Sequence, residues 1–430
     1  MRFAVAGHPV LHSKSPAIYN SIFRTRDFPG HYSRLAASSA VEALTLFREI
    51  GLAGMTVTAP FETEMIPHLQ SLDPEAAGIG AVNVVMREGD GLKGFNTDHA
   101  GVSGALESHG FALAGKRAVV VGAGGAGRAA AYALVHGGSE VTVLDRDAEQ
   151  ARVVAGILGC AGGPLADLAE RAAEADILVV TAHPEALDLG SLPLRPGLAV
   201  LDAVNDDPVD DRAARAEIAH DIRGEEWLKH QTIPTLRLLL GPSVPAEAVD
   251  WPRALQDDPR LRRETIALTG FMGAGKTTIA RGLASRLGYD CLDVDDWIET
   301  HEGRSIRDIL HSSGEASFRK MEQGAIARFA GVKRLVLACG GGAAMDEDNR
   351  RSLADRALTI WIYTALSTTF ARSDLGGRPL LDHPSPPARA AELLEERIED
   401  YFRSADLIVG NEGSPDRAVE RIHEEIRRAR

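Results

Sequence analysis

Residues 265–278 read TIALTGFMGAGKTT, a β-branched run, then Gly270, Gly273 and Gly275, then Lys276 and Thr277 at the head of a helix-prone stretch. No other segment leaves the chain so little freedom. Glycines spaced G-x-x-x-x-G-K-[ST] let successive backbone N–H groups curl around a phosphate, and the positive end of the next helix faces the same point. Such a loop needs a strand before it and a helix after it, so an α/β fold with parallel strands is expected around it. Gly273, Ala274, Gly275, Lys276, Thr277 and Thr278 are the expected nucleotide contacts. Lys276 supplies a point charge and the Thr277 hydroxyl a ligand for Mg²⁺. A chance match in a chain this long has a probability of roughly a few per cent.

A second glycine loop, GAGGAG at Gly122–Gly127, follows the strand-like RAVVV and opens the Ala-rich RAAAYALV. This is G-x-G-x-x-G in the setting of a Rossmann dinucleotide site, with pyrophosphate on the helix N-terminus. The next strand-like run, EVTVLD, ends in Asp145, about twenty residues on, where an acid accepts from a ribose 2′-hydroxyl. That charge favours NAD over NADP. Arg146 beside it could pair with a phosphate and Asp147 would blunt it, so NADP or NAD stays open.

At 430 residues the chain exceeds one hydrophobic core and predicts about two or three domains. Residues 1–100 alternate strand-like and helix-like runs and end in a hairpin turned at Gly89-Asp90, forming an α/β substrate domain joined by a return helix over 225–250. Residues 101–224 form the Rossmann domain, the proline-rich 251–263 a linker, and 264–430 a P-loop domain with a parallel sheet. A net charge of -14 argues against nucleic acid and acidic membrane as partners, leaving small molecules, and says nothing of oligomeric state. No apolar run is long enough to span a bilayer, and MRFAVAG enters a strand at once, so a cytoplasmic protein is expected. Three scattered cysteines argue against a disulfide framework or zinc site. His8 and His12 flank Pro9 and read as loop residues.

The strand-like RLVLACGGGA ends in glycines where a motor ATPase would carry a metal-binding Asp, which favours a small-molecule kinase. GFMGAGKTT, CLDVDDWIE, GEASFRKME, ACGGGA, GRPLL and RIEDYFRSADLIV, in this order, resemble shikimate kinase. The resemblance implies transfer of the ATP γ-phosphate, with Mg²⁺, to the 3-hydroxyl of shikimate. Asp295 would hold and deprotonate that hydroxyl. Arg319, Arg397 and the Gly341-Gly342 backbone would hold the substrate, Asp293 would support Mg²⁺, Arg372 would lie at the nucleotide, and Arg378 would close over the phosphates on a mobile lid. A P-loop kinase for another small polyol acid is a weaker alternative.

AGHPVLHSKSP, GMTVTAP, GAVNVV, GFNTDHAG and GEEWLKHQ resemble shikimate dehydrogenase across about residues 1–250. The resemblance implies that Ser13, Ser15, Thr58, Asn83, Asp98 and Gln231 contact shikimate in a cleft against the Rossmann domain. Asp98 would be half of a catalytic pair, and Gly122, Gly124, Gly125, Ala126, Gly127, Asp145, Arg146 and Gly224 would hold the cofactor. The family pattern G-x-N-V-T-x-P-x-K departs here, with Thr56 for Asn and Glu62 for the catalytic Lys. His183, Asn205 and the Asp145-Arg146-Asp147 triplet depart likewise. Hydride transfer to or from an alcohol needs a proton carrier, so three outcomes are open. Glu62 and Asp98 share a proton as a carboxylate dyad, or the module binds without turning over, or the substrate differs in the group facing Glu62. The expectation is a bifunctional enzyme interconverting 3-dehydroshikimate and shikimate, then phosphorylating shikimate. Its rival is a monofunctional kinase with a binding module.

Overall fold

The computed structural model describes residues 1–181, 192, 194–203, 220–242, 244, 251, 255–256, 258–372, 381 and 383–430. Two compact units form, one from Met1–Thr58 with Pro252–Arg430 and the other from Ala59–Trp251.

The first unit opens with β1 (Arg2–Gly7), β2 (His31–Ala36) and β3 (Gly54–Val57), joined by the helices Ser15–Thr25 and Ala40–Ile50. β1 and β2 are buried along nearly their whole length, as strands covered on both faces are; the run of β1 is apolar after Arg2, whereas β2 buries Ser33 and Arg34 as well. Ser39 caps the second helix by accepting from Glu42 N, and Gly51 ends it in the left-handed region.

The second unit begins with β4 (Ser71–Leu72) and the antiparallel hairpin β5 (Val84–Glu88) and β6 (Gly91–Phe95), turned at Gly89 with φ 60°. Six parallel strands follow: β7 (Arg117–Val121), β8 (Glu140–Asp145), β9 (Ala161–Pro164), β10 (Ile177–Val180), β11 (Ala199–Asp202) and β12 (His220–Arg223). Their order, β12-β11-β10-β7-β8-β9, is that of a Rossmann sheet, with the two halves diverging between β7 and β10. The helix Gly224–Leu240 lies along the helix Asp98–Ser108, where the bare Cα of Gly101 admits the Trp227 ring. The Thr97 and Thr235 hydroxyls pair at 2.8 Å in the same seam.

The first unit resumes with β13 (Thr265–Thr269), β14 (Asp290–Asp293), β15 (Leu335–Ala338), β16 (Leu358–Tyr363) and β17 (Leu407–Gly410). All its strands are parallel and run β14-β15-β13-β16-β17-β2-β1-β3. The kinase-like strands thus continue into the N-terminal ones, Ile408 registering with Leu35 and Val409 with Ala36. Within the stretch read as a linker, Pro259–Arg262 is a short helical turn, and Arg260 pairs with Asp258 and Asp406. Among the described residues no helix is long and apolar enough to cross a membrane.

Candidate active sites

The P-loop sits between β13 and the helix Lys276–Leu287, as its spacing required. Gly275 takes φ 90° and Gly270 φ 138°, which side chains rarely adopt, and Gly270 also backs directly onto the Ile362 carbonyl. Lys276 Nζ donates to the carbonyls of Gly270 and Phe271. The Thr277 hydroxyl donates to Asp293 Oδ2 at 2.6 Å, while Asp293 Oδ1 accepts from Asp295 N at 2.9 Å. A hydroxyl and a carboxylate held together beside a P-loop are oxygen donors of the kind Mg²⁺ takes. Asn411 braces the loop through Ala274 O, and Arg372 gathers the carbonyls of Asn411, Glu412 and Gly413. These groups line a cavity of about 380 Å³ that includes Gly273, Thr278, Cys339 and Pro415.

A second cavity of about 330 Å³ shares Met272, Asp295 and Gly341 with the first. Ile306, Leu310 and Phe318 give it an apolar wall, and Arg319, Glu322 and Arg397 a charged one. Arg319 is held between Glu322 at 2.8 Å and Glu315 at 2.9 Å. Burial works against the Arg319 charge, and the Glu322 and Glu315 carboxylates together more than restore it. Glu322 is fully buried, which pushes its carboxyl up, and Arg319 opposes that shift. The glycine run explains the close approach. A Cβ on Gly340 would collide with Glu322 Oε1, and one on Gly342 with the Arg319 guanidinium. Arg397 and Tyr401 both donate to Gly341 O, fixing the remaining glycine.

In the first unit, Ser13 Oγ accepts from Ser15 N at 3.3 Å, and Thr58 N donates to Ala6 O, extending β3 along β1. Thr56, standing where the family pattern has Asn, shares a 2.5 Å hydrogen bond with the buried Tyr32 hydroxyl.

In the second unit, Glu62 lies in the short helix Phe61–Glu64, its Cβ against Gly125, where a side chain would approach to 2.6 Å. Burial pushes the Glu62 carboxyl up to about 7, and the neighbouring acids Asp98 and Glu64 push the same way. Asp98 heads its helix and accepts from Trp227 Nε1 at 3.3 Å. Burial raises it to about 6, against hydrogen bonds from Asn83 and Trp227. Asn83 also grips Thr97 through its amide and hydroxyl.

The dinucleotide loop fits its expected ligand. Gly127 has no room for a Cβ beside Gly122 O, Gly122 takes φ 112°, and the space in front of Gly124 is open. Asp145 differs from its expected use. Its two oxygens accept from Ala123 N at 2.8 Å and Asp147 N at 2.9 Å, so the carboxylate braces the loop, and Arg146 is exposed at the strand end. Gly224 begins its helix packed on the Ala203 backbone.

Comparison with known proteins matches three segments of the chain. Residues 5–85 match the family model of the shikimate dehydrogenase substrate binding domain, 105–188 that of shikimate / quinate 5-dehydrogenase, and 272–427 that of shikimate kinase. A shikimate dehydrogenase (NADP(+)) of Halorubrum lacusprofundi is 39% identical over 267 residues, 58% of this chain and 96% of the relative. A shikimate kinase of Persephonella marina is 40% identical over 164 residues, 38% of this chain and 98% of the relative. The chain belongs to both families. The solved shikimate dehydrogenase of Aquifex aeolicus superposes with TM-score 0.54 at 28% identity, covering 60% of this chain and 98% of the other. That of Thermus thermophilus, solved with NADP(H) and shikimate, gives 0.50 at 32%, covering 59% and 100%. The protein is thus a fusion of a shikimate dehydrogenase module and a shikimate kinase module, and the reading as a kinase with a merely binding partner is not favoured.

The kinase module gathers Lys276, Thr277, Asp293, Asp295, Arg319, Gly341, Gly342, Arg372 and Arg397 around its two cavities. The dehydrogenase module holds Ser13, Ser15 and Thr58 in one unit and Asn83, Asp98 and Gln231 in the other. Arg378, His183 and Asn205 lie outside the described residues. Sequence reasoning missed Gly340, the apolar wall of Ile306, Leu310 and Phe318, and Tyr401. Glu322 was given no function, although its i,i+3 spacing from the oppositely charged Arg319 was a usable signal.

Proposed function

We propose that the kinase module phosphorylates the 3-hydroxyl of shikimate and that the dehydrogenase module interconverts 3-dehydroshikimate and shikimate with NADP, both in the cytoplasm. The observation that carries the kinase assignment is the wall common to the two cavities, with Asp295 in it. ATP with Mg²⁺ supplies the phosphoryl group. Lys276 and the loop amides hold the phosphates, and Thr277 and Asp293 hold the metal. In the other cavity Arg319 and Arg397 take the substrate carboxylate, leaving Asp295 to orient the attacking hydroxyl and accept its proton. Arg372 and Arg378 complete the nucleotide side. Asp295→Ala should abolish ATP-dependent loss of shikimate while nucleotide binding persists; retained turnover would overturn the assignment.

For the dehydrogenase module, NADP supplies the hydride chemistry, and Arg146 is the group for its 2′-phosphate because Asp145 is engaged by the loop. The NADP(+) relatives support this choice. Ser13, Ser15, Thr58, Asn83 and Gln231 contact shikimate. Glu62 replaces the lysine as proton carrier. Raised to about 7 and facing the charge of Asp98, it keeps its proton near neutrality, gives it to the nascent alcohol oxygen in reduction, and takes one in oxidation. Purified protein with shikimate and NADP should produce reduced cofactor, and Glu62→Gln should not. Silence of the wild type with both NADP and NAD would overturn the turnover reading.

A further inference from the structure

The loop between β1 and the helix Ser15–Thr25 carries Ser13 and Ser15, and it is gripped on one side by the C-terminal helix of the kinase module and on the other by Arg34 of β2. Glu425, in the C-terminal helix Pro415–Ala429, is completely buried, and its Oε2 accepts from both Val10 N and Leu11 N at 2.7 Å. Its other oxygen pairs with His8 Nδ1 at 3.1 Å, while His8 Nε2 meets Glu424 at 2.9 Å. On the other side Arg34, only 1% exposed, donates from Nε and Nη2 to Ser13 O at 3.1 and 2.8 Å. That guanidinium also reaches Asp406 O at 3.4 Å and lies 3.7 Å from the Asp258 carboxylate.

The arrangement is costly unless it holds something. A carboxylate and a guanidinium removed from water are stabilised only when their bonds are filled, and here most of those bonds go to the backbone of one short loop. The same helix begins at the ATP cavity, which Pro415 lines, and Arg421 midway along it pairs with Glu42 of the N-terminal segment at 2.9 Å. The continuous ladder from β17 to β2 keeps this seam in register.

We propose that Glu425 and Arg34 are positioning residues for the dehydrogenase module, so that the C-terminal helix of the kinase module sets the shikimate-binding loop of its neighbour. The inference rests on the assignment of Ser13 and Ser15 to shikimate. It makes the two modules interdependent in one direction: the dehydrogenase needs the kinase helix for substrate affinity, whereas the kinase cavities draw none of their lining from the loop.

The test is hydrogen–deuterium exchange on the full chain, following the peptide 8–18 during a shikimate titration, with kinase turnover measured alongside. This reads local binding whether or not the dehydrogenase turns over. Glu425→Gln should speed exchange at Val10 and Leu11 and raise the half-saturating shikimate for that peptide about ten- to hundredfold, the loss expected of charge-assisted hydrogen bonds. Kinase turnover should stay at the wild-type value. Arg34→Lys should act in the same direction, and Glu425→Asp should recover part of the affinity. Unchanged exchange and half-saturation in Glu425→Gln and Arg34→Lys, with Ser13→Ala weakening binding, would overturn the positioning inference alone. An unchanged half-saturation in Ser13→Ala with Ser15→Ala would overturn the serine assignment as well. Loss of kinase turnover in both Glu425 variants would contradict the one-way dependence.

Discussion

The two carboxylate pairs Asp295–Glu322 and Glu62–Asp98 have opposite surroundings. In the kinase module Glu322 lies beside Asp295, and the bonded Arg319 opposes the burial that pushes the Glu322 carboxyl up. In the dehydrogenase module the charges acting on Glu62 come from Asp98 and Glu64, both acids. A cation beside a buried acid favours its ionised form, whereas an acid beside a buried acid adds to what burial does. Arg319 thus opposes the rise at Glu322, while burial and acidic neighbours push Glu62 the same way.

The largest expected effect breaks the kinase half of that contrast. Asp295→Asn removes the acceptor and leaves Arg319–Glu322 in place, and kcat for shikimate phosphorylation should fall by up to about 10⁴-fold. Coupled-assay kinetics should show dehydrogenation unchanged; equal loss of both activities would point to a general folding defect. Next comes Glu62→Gln, which should cut dehydrogenation by about 10²–10³-fold. In the wild type, reduction of 3-dehydroshikimate needs protonated Glu62 and should decline as pH rises through about 7, while shikimate oxidation rises through the same range.

Glu62 also carries a stability signature. Its folded pKa of about 7 lies above its unfolded value, so it favours folding most at low pH and loses that contribution as pH rises through about 7. The loss is at most about 3 kcal/mol, reduced by partial exposure. Denaturation of Glu62→Gln should consequently show a stabilisation relative to wild type at pH 8 that shrinks toward pH 4. A lysine at this position would interact favourably with Asp98. An acid stands there at a cost in stability above about pH 7, which the proposed proton-carrying role would account for.

Both glycine loops and the continuous apolar strands were legible because each encodes its structure locally: positive φ, close backbone approach, burial on two faces. Asp295 and Arg319 were singled out by the resemblance to shikimate kinase, and both line the second cavity. What stayed hidden depends on distant neighbours. Nothing in HYSRLA tells that β2 pairs with a strand beginning at Leu407, because parallel pairing across that separation leaves no local period. The linker composition of 251–263 concealed Asp258 and Arg260, whose charges meet Arg34 and Asp406 only in the folded unit. Asp145 has the right type and spacing for a ribose ligand, yet its oxygens face two backbone amides that sequence alone does not locate.

A smaller effect should sharpen the kinase side. Gly340→Ala places a methyl against Glu322 Oε1 and beside Asp295 Oδ1. Overpacking of this kind costs about 1–3 kcal/mol. Because the clash falls on the group that holds Arg319, the loss should appear mainly as a raised KM for shikimate, with KM for ATP near the wild-type value. A matched rise in both would place the strain in the P-loop instead.

The smallest change tests the dehydrogenase pair through a neutral donor, the Trp227 indole. Trp227 Nε1–H favours ionised Asp98, opposing the burial that raises that carboxyl to about 6. Trp227→Phe keeps most of the ring volume against Gly101 while removing the donor. A hydrogen bond to a carboxylate contributes about 1 kcal/mol or somewhat more, so Asp98 should move up by about 0.5–1 pH unit. Because the two acids titrate together, the shift should show in the lower of the two apparent pKa values of the oxidation profile, with a smaller movement of the upper one. Rates at pH 8, where both acids are ionised, should change only a few-fold. A profile that moves at its upper limb alone would mean that Asp98 does not share the proton with Glu62, and the two carboxylates would then have to be assigned separate tasks.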